Sequence, residues 1–401
     1  MSLIVKKFGG SSVKDAERLR NVAKIIAETY DQNNDVIVVV SAQGKTTDEL
    51  IAKAEELTPN PSKREMDFLM STGEQISAAL LAITLHELGY PAVSLTGWQA
   101  GFLTDSNHRS ARIRRINKER IQNEIDKKRI VVVTGFQGIN RYDDITTLGR
   151  GGSDTSAVAL AAALSADRCQ IYTDVDGVYT ADPRLVQNAV KLDAITYDEM
   201  LELASLGAKV LHNRSVELAK KFNVQLEVLS SLERKPGTIV KEVVKMEKLM
   251  ITGVAKDDRV ARIALIGLPD KPGVAFKVFS LLASKRVNVD IIIQSIGRPD
   301  TKDITFTVAE GDKQTAVDTL NEQAAAIGIQ EIVADSDISK VSIVGAGMES
   351  NPGVAAKMFE ALSEANINIH MISTSEIKIS VLIDKELGSK AVTAIHAAFE
   401  V

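Results

Sequence analysis

The chain of 401 residues is 45% hydrophobic and 25% charged, with a net charge of −5. That length and balance suit two or three soluble domains with cores of their own, and the acidic charge excludes a protein whose main task is to neutralise nucleic-acid phosphates. Five dispersed histidines exclude a His-rich metal centre, and a single cysteine, Cys169, excludes an internal disulfide and fits a reducing compartment.

The opening "MSLIVKKFGG" has neither the basic lead nor the apolar core of a signal peptide. No apolar run reaches the ~18 residues of a membrane span, so a cytoplasmic protein with no membrane partner is expected. "LIVKKF" (3–8) reads as a strand, followed by a glycine turn and a helix with Leu19, Val22, Ala23 and Ile26 at helical spacing. "DVIVVVSA" (35–42) and "RIVVVTGF" (129–136) are continuous apolar runs, as strands buried on both faces of a parallel sheet are. Ala-rich helices are expected at 74–88 and 154–165. The pattern is α/β, with its sites beyond the C-terminal ends of the strands.

Four stretches carry chemistry. "KKFGGSSVK" (6–14) is strand, Gly-Gly-Ser-Ser, helix. Glycines admit a close approach to backbone N–H donors at a helix start, and Lys7 at the strand end can reach a phosphoryl oxygen, or else is a solvated lysine beside an ordinary turn. "GRGGSD" (149–154) repeats the arrangement. There Ser153 or Asp154 can act as an N-cap, while the Arg150 fork suits a carboxylate. "YTDVDGVYTADPR" (172–184) is either a loop of Asp-Gly turns or a nucleotide loop. "STGEQISAALLA" (71–82) reads as a helix start that is apolar except near Glu74, an acid that favours the helix dipole or faces a ligand. "AQGKTT" (42–47) is not a P-loop, because Val39 stands where that motif needs glycine.

After residue 245 the texture changes. "VARIALIGLPDKPGVAFKVFSLLASKRVNVDIIIQS" (260–295) and "KVSIVGAGMESNPGVAAKMFEALSEANINIHMISTS" (340–375) match at an offset of 80 residues, so the region is a duplicated module. Each copy reads strand, Pro-Gly turn, helix, strand, then a further strand and helix.

Taken together, "KFGGSS", "STGE", "GRGGSD", "TDVDGVYTADPR" and "GAKVLH" resemble aspartate kinases of the amino-acid kinase family, and the duplication resembles paired ACT domains. The resemblance implies an amino-acid kinase fold, a mainly parallel sheet sandwiched by helices, over 1–245. Two α+β ACT (βαββαβ) units would follow over 246–401. The first would span about 260–338 and the second about 339–401, with a strand lent by "LMITGVAKD" (249–257). It implies transfer of the ATP γ-phosphoryl to the side-chain carboxylate of L-aspartate, the first step toward lysine, threonine and methionine. That carboxylate is already ionised, so no general base is needed and the work is positioning and charge neutralisation.

Residue roles follow from the same resemblance. Lys7 and Asp154 would be catalytic, Asp154 holding Lys7 against the phosphoryl. Ser41, Thr47, Glu74, Arg150, Gly151, Gly152 and Ser153 would bind the substrate, Arg150 its α-carboxylate and Glu74 its α-ammonium. Phe8, Gly9, Gly10, Ser11, Thr173, Asp174, Tyr179, Asp182, Arg184, Lys209 and Val210 would contact ATP. Mg2+ would ride on the phosphates with no dedicated protein site. Asp270, Lys271, Pro272, Gly273, Val274, Asn288, Val289, Asp290 and Gln294 would hold a lysine or threonine effector. The second copy has Ser350, His370 and Thr374 at the positions of Asp270, Asp290 and Gln294. A homo-oligomer through the ACT units is implied, and a regulatory chain separately translated from Met246 is conceivable from position. Asn213 stands where the family commonly has proline. The rival readings are another amino-acid kinase, such as glutamate 5-kinase or acetylglutamate kinase, and a catalytically inactive amino-acid sensor.

Overall fold

The computed structural model describes residues 2–206, 210–242, 251–295, 300–346, 348, 351 and 353–400. By internal contacts they form two compact units. The first runs to Tyr179 and resumes over Lys191–Ser205 and 210–242; the second takes Thr180–Val190 and the chain from Ile251 onward.

In chain order the first unit holds β1 (Leu3–Phe8), α1 (Ala16–Tyr30), β2 (Asp35–Val40), α2 (Thr46–Glu55), α3 (Lys63–Glu87), β3 (Ala92–Leu95), β4 (Phe102–Thr104) and β5 (Ile113–Ile116). It continues with α4 (Glu119–Asp126), β6 (Ile130–Thr134), β7 (Gln137–Ile139), β8 (Ile145–Thr147), α5 (Gly152–Leu164), β9 (Arg168–Thr173), β10 (Ala194–Thr196), α6 (Tyr197–Ser205), α7 (Asn213–Phe222), β11 (Leu226–Ser230) and β12 (Thr238–Lys241). Eight strands make one sheet in the order β10-β12-β11-β9-β1-β2-β6-β3. It is parallel except where β12 runs against β11. The continuous apolar runs are its central strands: Val36–Val40 and Ile130–Val133 are buried on both faces, as the lack of alternation requires. On one face Phe8, Val38 and Val132 pack beneath α1 and α3, through Val22, Ile26, Ala78, Leu81 and Leu85. Cys169 is buried in β9, and burial pushes its thiol well above the usual range, so it is a packing residue.

Three local expectations are corrected. The helix expected at 74–88 begins eleven residues earlier, so Glu74 lies in its middle and has no dipole role. The Ser-Thr-Gly run that reads as a start is internal. Ser71 and Thr72 donate to the helix's own carbonyls of Phe68 and Leu69, and Gly73 is needed because a Cβ there would lie 2.8 Å from that of Ala42. The helix after "FGGSS" also starts late: a single 3-10 turn (Gly10–Ser12) intervenes, and α1 is capped by Asp15, which accepts from the Arg18 N–H. At α5 neither Ser153 nor Asp154 caps the helix; Gly151 takes that position.

The second unit holds β13 (Gly253–Asp257), β14 (Val260–Pro269), α8 (Val274–Ser284), β15 (Val289–Gln294), β16 (Thr301–Ala309), α9 (Lys313–Ile327), β17 (Glu331–Asp335), β18 (Ile338–Val344), α10 (Val354–Glu364), β19 (Met371–Thr374), β20 (Lys378–Asp384) and α11 (Gly388–Phe399). Two antiparallel sheets result, β15-β16-β14-β17 and β13-β18-β20-β19. In the second sheet β13 occupies, beside β18, the place that β17 holds beside β14. The 80-residue offset carries α8 onto α10 (274 to 354), but α9 onto α11 only at 75 (313 to 388), because the turn before the last hairpin strand is shorter in the second copy. Each sheet buries one face under its own two helices. The segment Thr180–Val190 belongs to the second core: Ala181 and Val186 are buried among Val254, Ile395 and Phe399, and the Thr180 carbonyl accepts from Val254 N–H at 2.7 Å.

The two sheets meet through Val260, Ile291, Ile338, Met371 and Leu382. Beside that cluster Lys340, only 7% exposed at its side chain, pairs with Asp290 at 2.5 Å. Removing one partner strands a buried ammonium, whereas replacing that ammonium by an apolar chain of similar length does not. Asp290→Ala is therefore expected to cost about 2 kcal/mol, between the values for surface and fully buried pairs because Asp290 is itself half-exposed. Thermal melting of Asp290→Ala should fall by several degrees, and Lys340→Met in the same chain should restore most of the loss.

Candidate active site

β1 lies between β2 and β9 in parallel register, so the C-terminal ends of all three open at one edge. Strand alternation then separates two adjacent lysines. Lys7 turns toward α5, where its Nζ lies 2.6 Å from Asp154 Oδ1, each side chain 12% exposed. Lys6 turns the other way, where it is buried and donates to Gln170 Oε1 at 2.6 Å and Tyr172 Oη at 3.0 Å. Desolvation lowers Lys6 to about 8, against the pull of Glu227. Nothing in "KK" itself distinguishes the two; only the register of β1 does.

After Lys7 the chain makes a cradle. Gly9 donates to the Tyr172 carbonyl, Gly10 accepts from Gly44 N–H at 3.0 Å, and a Cβ on Gly10 would lie 2.6 Å from the Ala42 carbonyl oxygen. Ser11 is exposed at the lip of this turn. The Phe8 ring stacks on Tyr172 at 4.6 Å, which places Phe8 beneath the cradle and inside the core. Ser41 N–H donates to the Phe8 carbonyl at 3.1 Å, and Thr47 is half-buried in the first turn of α2.

Glu74 reaches this edge from α3. One carboxylate oxygen accepts from Ala42 N–H at 3.1 Å, while the other is buried without a hydrogen-bond partner. Desolvation raises its carboxyl to about 8, the Ala42 N–H opposing. A buried carboxylate oxygen with no partner is costly unless a cation completes it.

At the start of α5, Gly151 has φ +67°, and a Cβ there would come within 2.2 Å of the His212 ring. Gly152 and Ser153 pack against Phe136 and Gly135. Arg150 is exposed and makes no ion pair among the described residues. Asn213 takes the first position of α7, where proline is favoured because its missing N–H is not needed. Here the asparagine side chain instead donates to Ser205 Oγ at 2.7 Å.

At the end of β9, Thr173 Oγ1 donates to Asp174, which is exposed, and Tyr179 Oη donates to Asp176 at 2.7 Å. That bond and partial burial push the Tyr179 phenol up to about 12. Two residues missed from the sequence complete this side. Ser12 Oγ donates to Ser231 Oγ at 2.8 Å, and Ser231 Oγ to the Thr173 carbonyl at 3.2 Å, a bridge between segments 219 residues apart. Asp67, another omission, is fully buried and accepts from His108, Arg109 N–H and both Thr147 N–H and Oγ1. No sequence motif marks it.

Not all of the expected set gathers here. Asp182 and Arg184 lie in the segment that packs with the second unit, and Asp182 holds the Arg184 fork at 2.7–3.2 Å. Val210 is half-buried, and Lys209 lies outside the described residues, as do Met246, residues 249 and 250 of the lent strand, and Ser350. In the second unit Gly273 has φ +91° with open space where a Cβ would stand, and Asp270 pairs with Lys302 at 2.8 Å. Lys271, Pro272, Asn288 and Gln294 are exposed, and Val274 and Val289 half-buried. Asp290 is engaged by Lys340. In the second copy, His370 pairs with Asp384. Among the described residues no group of three or more His, Cys, Asp or Glu could hold a metal ion.

The first unit is an amino-acid kinase domain and the second carries paired ACT domains. A model of the amino acid kinase family matches residues 2–230, and a model of the ACT domain matches twice, at 263–323 and 341–399. The aspartokinase of Bacillus sp. (strain MGA3) is 52% identical over 401 residues, covering 100% of this chain and 98% of its own. The crystal structure of E. coli aspartokinase III in complex with aspartate and ADP (R-state) matches with a TM-score of 0.86 at 26% identity, over 100% of both chains. That of E. coli aspartokinase III in complex with lysine and aspartate (T-state) matches at 0.77 and 26%, over 99% of each. The chain therefore belongs to the amino acid kinase family and, within it, to the aspartokinases.

The opposed lysines give a direct check. Lys7→Met is expected to lower kcat by about 10²–10³-fold, while Lys6→Met stays within about threefold because it removes a buried, partly neutral amine from the far face of the strand. Steady-state kinetics on both variants, with circular dichroism to confirm folding, decides it.

Proposed function

We propose that this aspartokinase transfers the γ-phosphoryl of ATP to the side-chain carboxylate of L-aspartate, giving 4-phospho-L-aspartate, and that lysine, threonine or both suppress it through the ACT pair. The observation that carries the reading is the Lys7–Asp154 pair facing the glycine cradle, with the unpartnered buried oxygen of Glu74 at the same strand edge. ADP bound with aspartate in the matched E. coli structure supports the nucleotide, and lysine in its companion supports an amino-acid effector.

In this reading Arg150 receives the α-carboxylate, and Glu74 the α-ammonium, whose protons complete the orphaned oxygen. Ser41, Thr47 and the Gly151–Ser153 turn line the substrate side. Gly9, Gly10 and Ser11 lay backbone donors along the phosphates, and Lys7, held by Asp154, stabilises charge on the phosphoryl in flight. Thr173, Asp174 and Tyr179 border the nucleotide, and Lys209 and Val210 are assigned contacts to it. Asp182 and Arg184 join them only by exchanging the bond they now make to each other. A hard cation that keeps its waters and rides on phosphates fits a site whose one exposed strand-end carboxylate is Asp174, since Asp154 is already taken. Mg2+ bound there supplies charge neutralisation on the phosphates. The kinase role belongs to residues 1–245 and the regulatory role to 246–401, with Asp270, Gly273 and Asn288 at the effector turn and ACT–ACT contacts building the oligomer. The reading takes the enzyme as cytoplasmic and at the first step toward lysine, threonine and methionine, supported by its likeness to the aspartokinases.

The test is ADP release from Mg-ATP with L-aspartate, against L-glutamate and N-acetylglutamate, with and without lysine and threonine. Turnover on aspartate alone, suppressed by one effector or only by both, is the expected result; effector binding without turnover on any of the three would make the chain a sensor.

Glu74 adds a pH signature. Its carboxyl is raised to about 8, so in the free protein it is neutral at pH 7 and becomes the anion an ammonium needs only as pH rises through that value. kcat/KM for aspartate should climb between pH 7 and 8.5. Glu74→Gln should flatten that climb and weaken aspartate by about 10–100-fold, the worth of a hydrogen bond to a charged group.

A further inference from the structure

Glu74 and Arg150, assigned above to the α-ammonium and α-carboxylate of L-aspartate, come from separate elements. Glu74 lies in the middle of α3, and Arg150 in the turn between β8 and α5. Holding a small substrate by two neighbouring charges requires the span between these groups to be fixed to a fraction of an ångström. Asp67 stands where it can fix that span. It precedes Glu74 by seven residues, about two helical turns, so both side chains leave α3 on the same face. Asp67 Oδ1 accepts from Thr147 Oγ1 at 2.6 Å and Oδ2 from Thr147 N–H at 3.1 Å, which grips the end of β8 by side chain and backbone together. Arg109 N–H lies 3.0 Å from both oxygens, and the His108 ring 2.9 Å from Oδ2. The two gripped segments then close on each other. Ala111 N–H donates to the Thr147 carbonyl at 2.9 Å, and a Cβ on Gly149, at φ +82°, would lie 3.0 Å from the Arg109 carbonyl oxygen. Arg150 is the next residue.

We propose that Asp67 is a positioning residue for aspartate binding: it locks the end of β8, and with it the Arg150 turn, at a fixed distance from Glu74. The proposal rests on the reading of Arg150 and Glu74 as the clamp on the substrate, and it gives Asp67 no contact with substrate. A fully buried carboxylate is a costly way to join a helix to a strand, since an apolar pair would join them without taking a charge out of water. What the carboxylate adds is direction. Four donors from three residues converge on its two oxygens, so neither β8 nor the 108–111 turn can slide along α3 without breaking several bonds at once. The phosphate side has its own supports. Gly10 accepts from Gly44 N–H and Gly9 donates to the Tyr172 carbonyl, and Asp67 bonds to neither segment. Loss of the Asp67 tie is therefore felt in aspartate binding before it is felt in ATP binding or in the transfer itself.

The experiment measures KM and kcat for aspartate and for ATP separately, in the full chain. Asp67→Ala is expected to raise KM for aspartate by about 10–100-fold, with kcat at saturating aspartate within about threefold and KM for ATP within about twofold. Because that change leaves four donors without their acceptor, a milder variant accompanies it. Thr147→Val removes only the hydroxyl and is expected to raise KM for aspartate about fivefold, while Thr147→Ser, which keeps the hydroxyl, restores the wild-type value. In an Arg150→Ala background Thr147→Val should add less than about twofold, because the group it acts through is gone. A purely structural role would lower the melting temperature and the active fraction, and with them kcat, at unchanged KM for aspartate; that result overturns the proposal. So would Thr147→Val and Thr147→Ser variants that behave alike, or KM losses that multiply in the Arg150→Ala background. Each of these results leaves the reading of the site standing so long as the wild-type chain turns over aspartate. A wild-type chain with no turnover on aspartate overturns both.

Discussion

The Lys7–Asp154 ion pair is the constraint around which the first unit is built. Both groups are largely withdrawn from water, a state that costs several kcal/mol per ion unless each has the other in place. β1 must therefore sit in the middle of the sheet, where its end can face the start of α5. The two glycine turns must then be free of side chains that would keep backbone and charge from converging. Gly10 beneath the Ala42 carbonyl and Gly151 beneath the His212 ring meet that requirement with different neighbours. A lysine held in this way needs no reorganisation when negative charge gathers before it.

Much of this was legible because the periodicities are strong. The unalternated runs 35–40 and 130–133 could only be central parallel strands, and the 80-residue repeat declared two related modules before any strand was paired. The lysine beside the first glycine turn and the aspartate after the second could be singled out, though their mutual contact is a fact of register alone. What stayed hidden has physical reasons. The true start of α3 was masked by Ser71-Thr72-Gly73, residues that commonly begin helices but here bond inward and admit Ala42. Ser231 and Asp67 act through contacts across 219 and 80 residues, for which no local pattern exists. The two lysines of β1 are identical as letters and opposite in environment.

The segment Thr180–Val190 shows how sequence order and physical membership part company. It continues directly from the Asp-rich loop after β9, and by motif it reads as more of the same loop. Ala181 and Val186, however, are core residues of the second ACT unit, and Thr180 is tied to Val254 and to His396 on α11. Burial lowers the His396 pKa, which keeps that contact neutral and hydrogen-bonded rather than ionic. The backbone passes from the first unit to the second between Tyr179 and Thr180, so Tyr179 and Asp176 are separated from this core by the chain alone.

The account treats Lys7 and Asp154 as one device, and a double-mutant cycle on kcat tests that most directly. Lys7→Met, Asp154→Asn and the combined variant are compared with the wild-type chain under saturating ATP and aspartate. If Asp154 acts by holding Lys7, the combined variant turns over no more slowly than Lys7→Met alone. Losses that simply multiply would contradict the account, because the two residues would then serve the reaction separately.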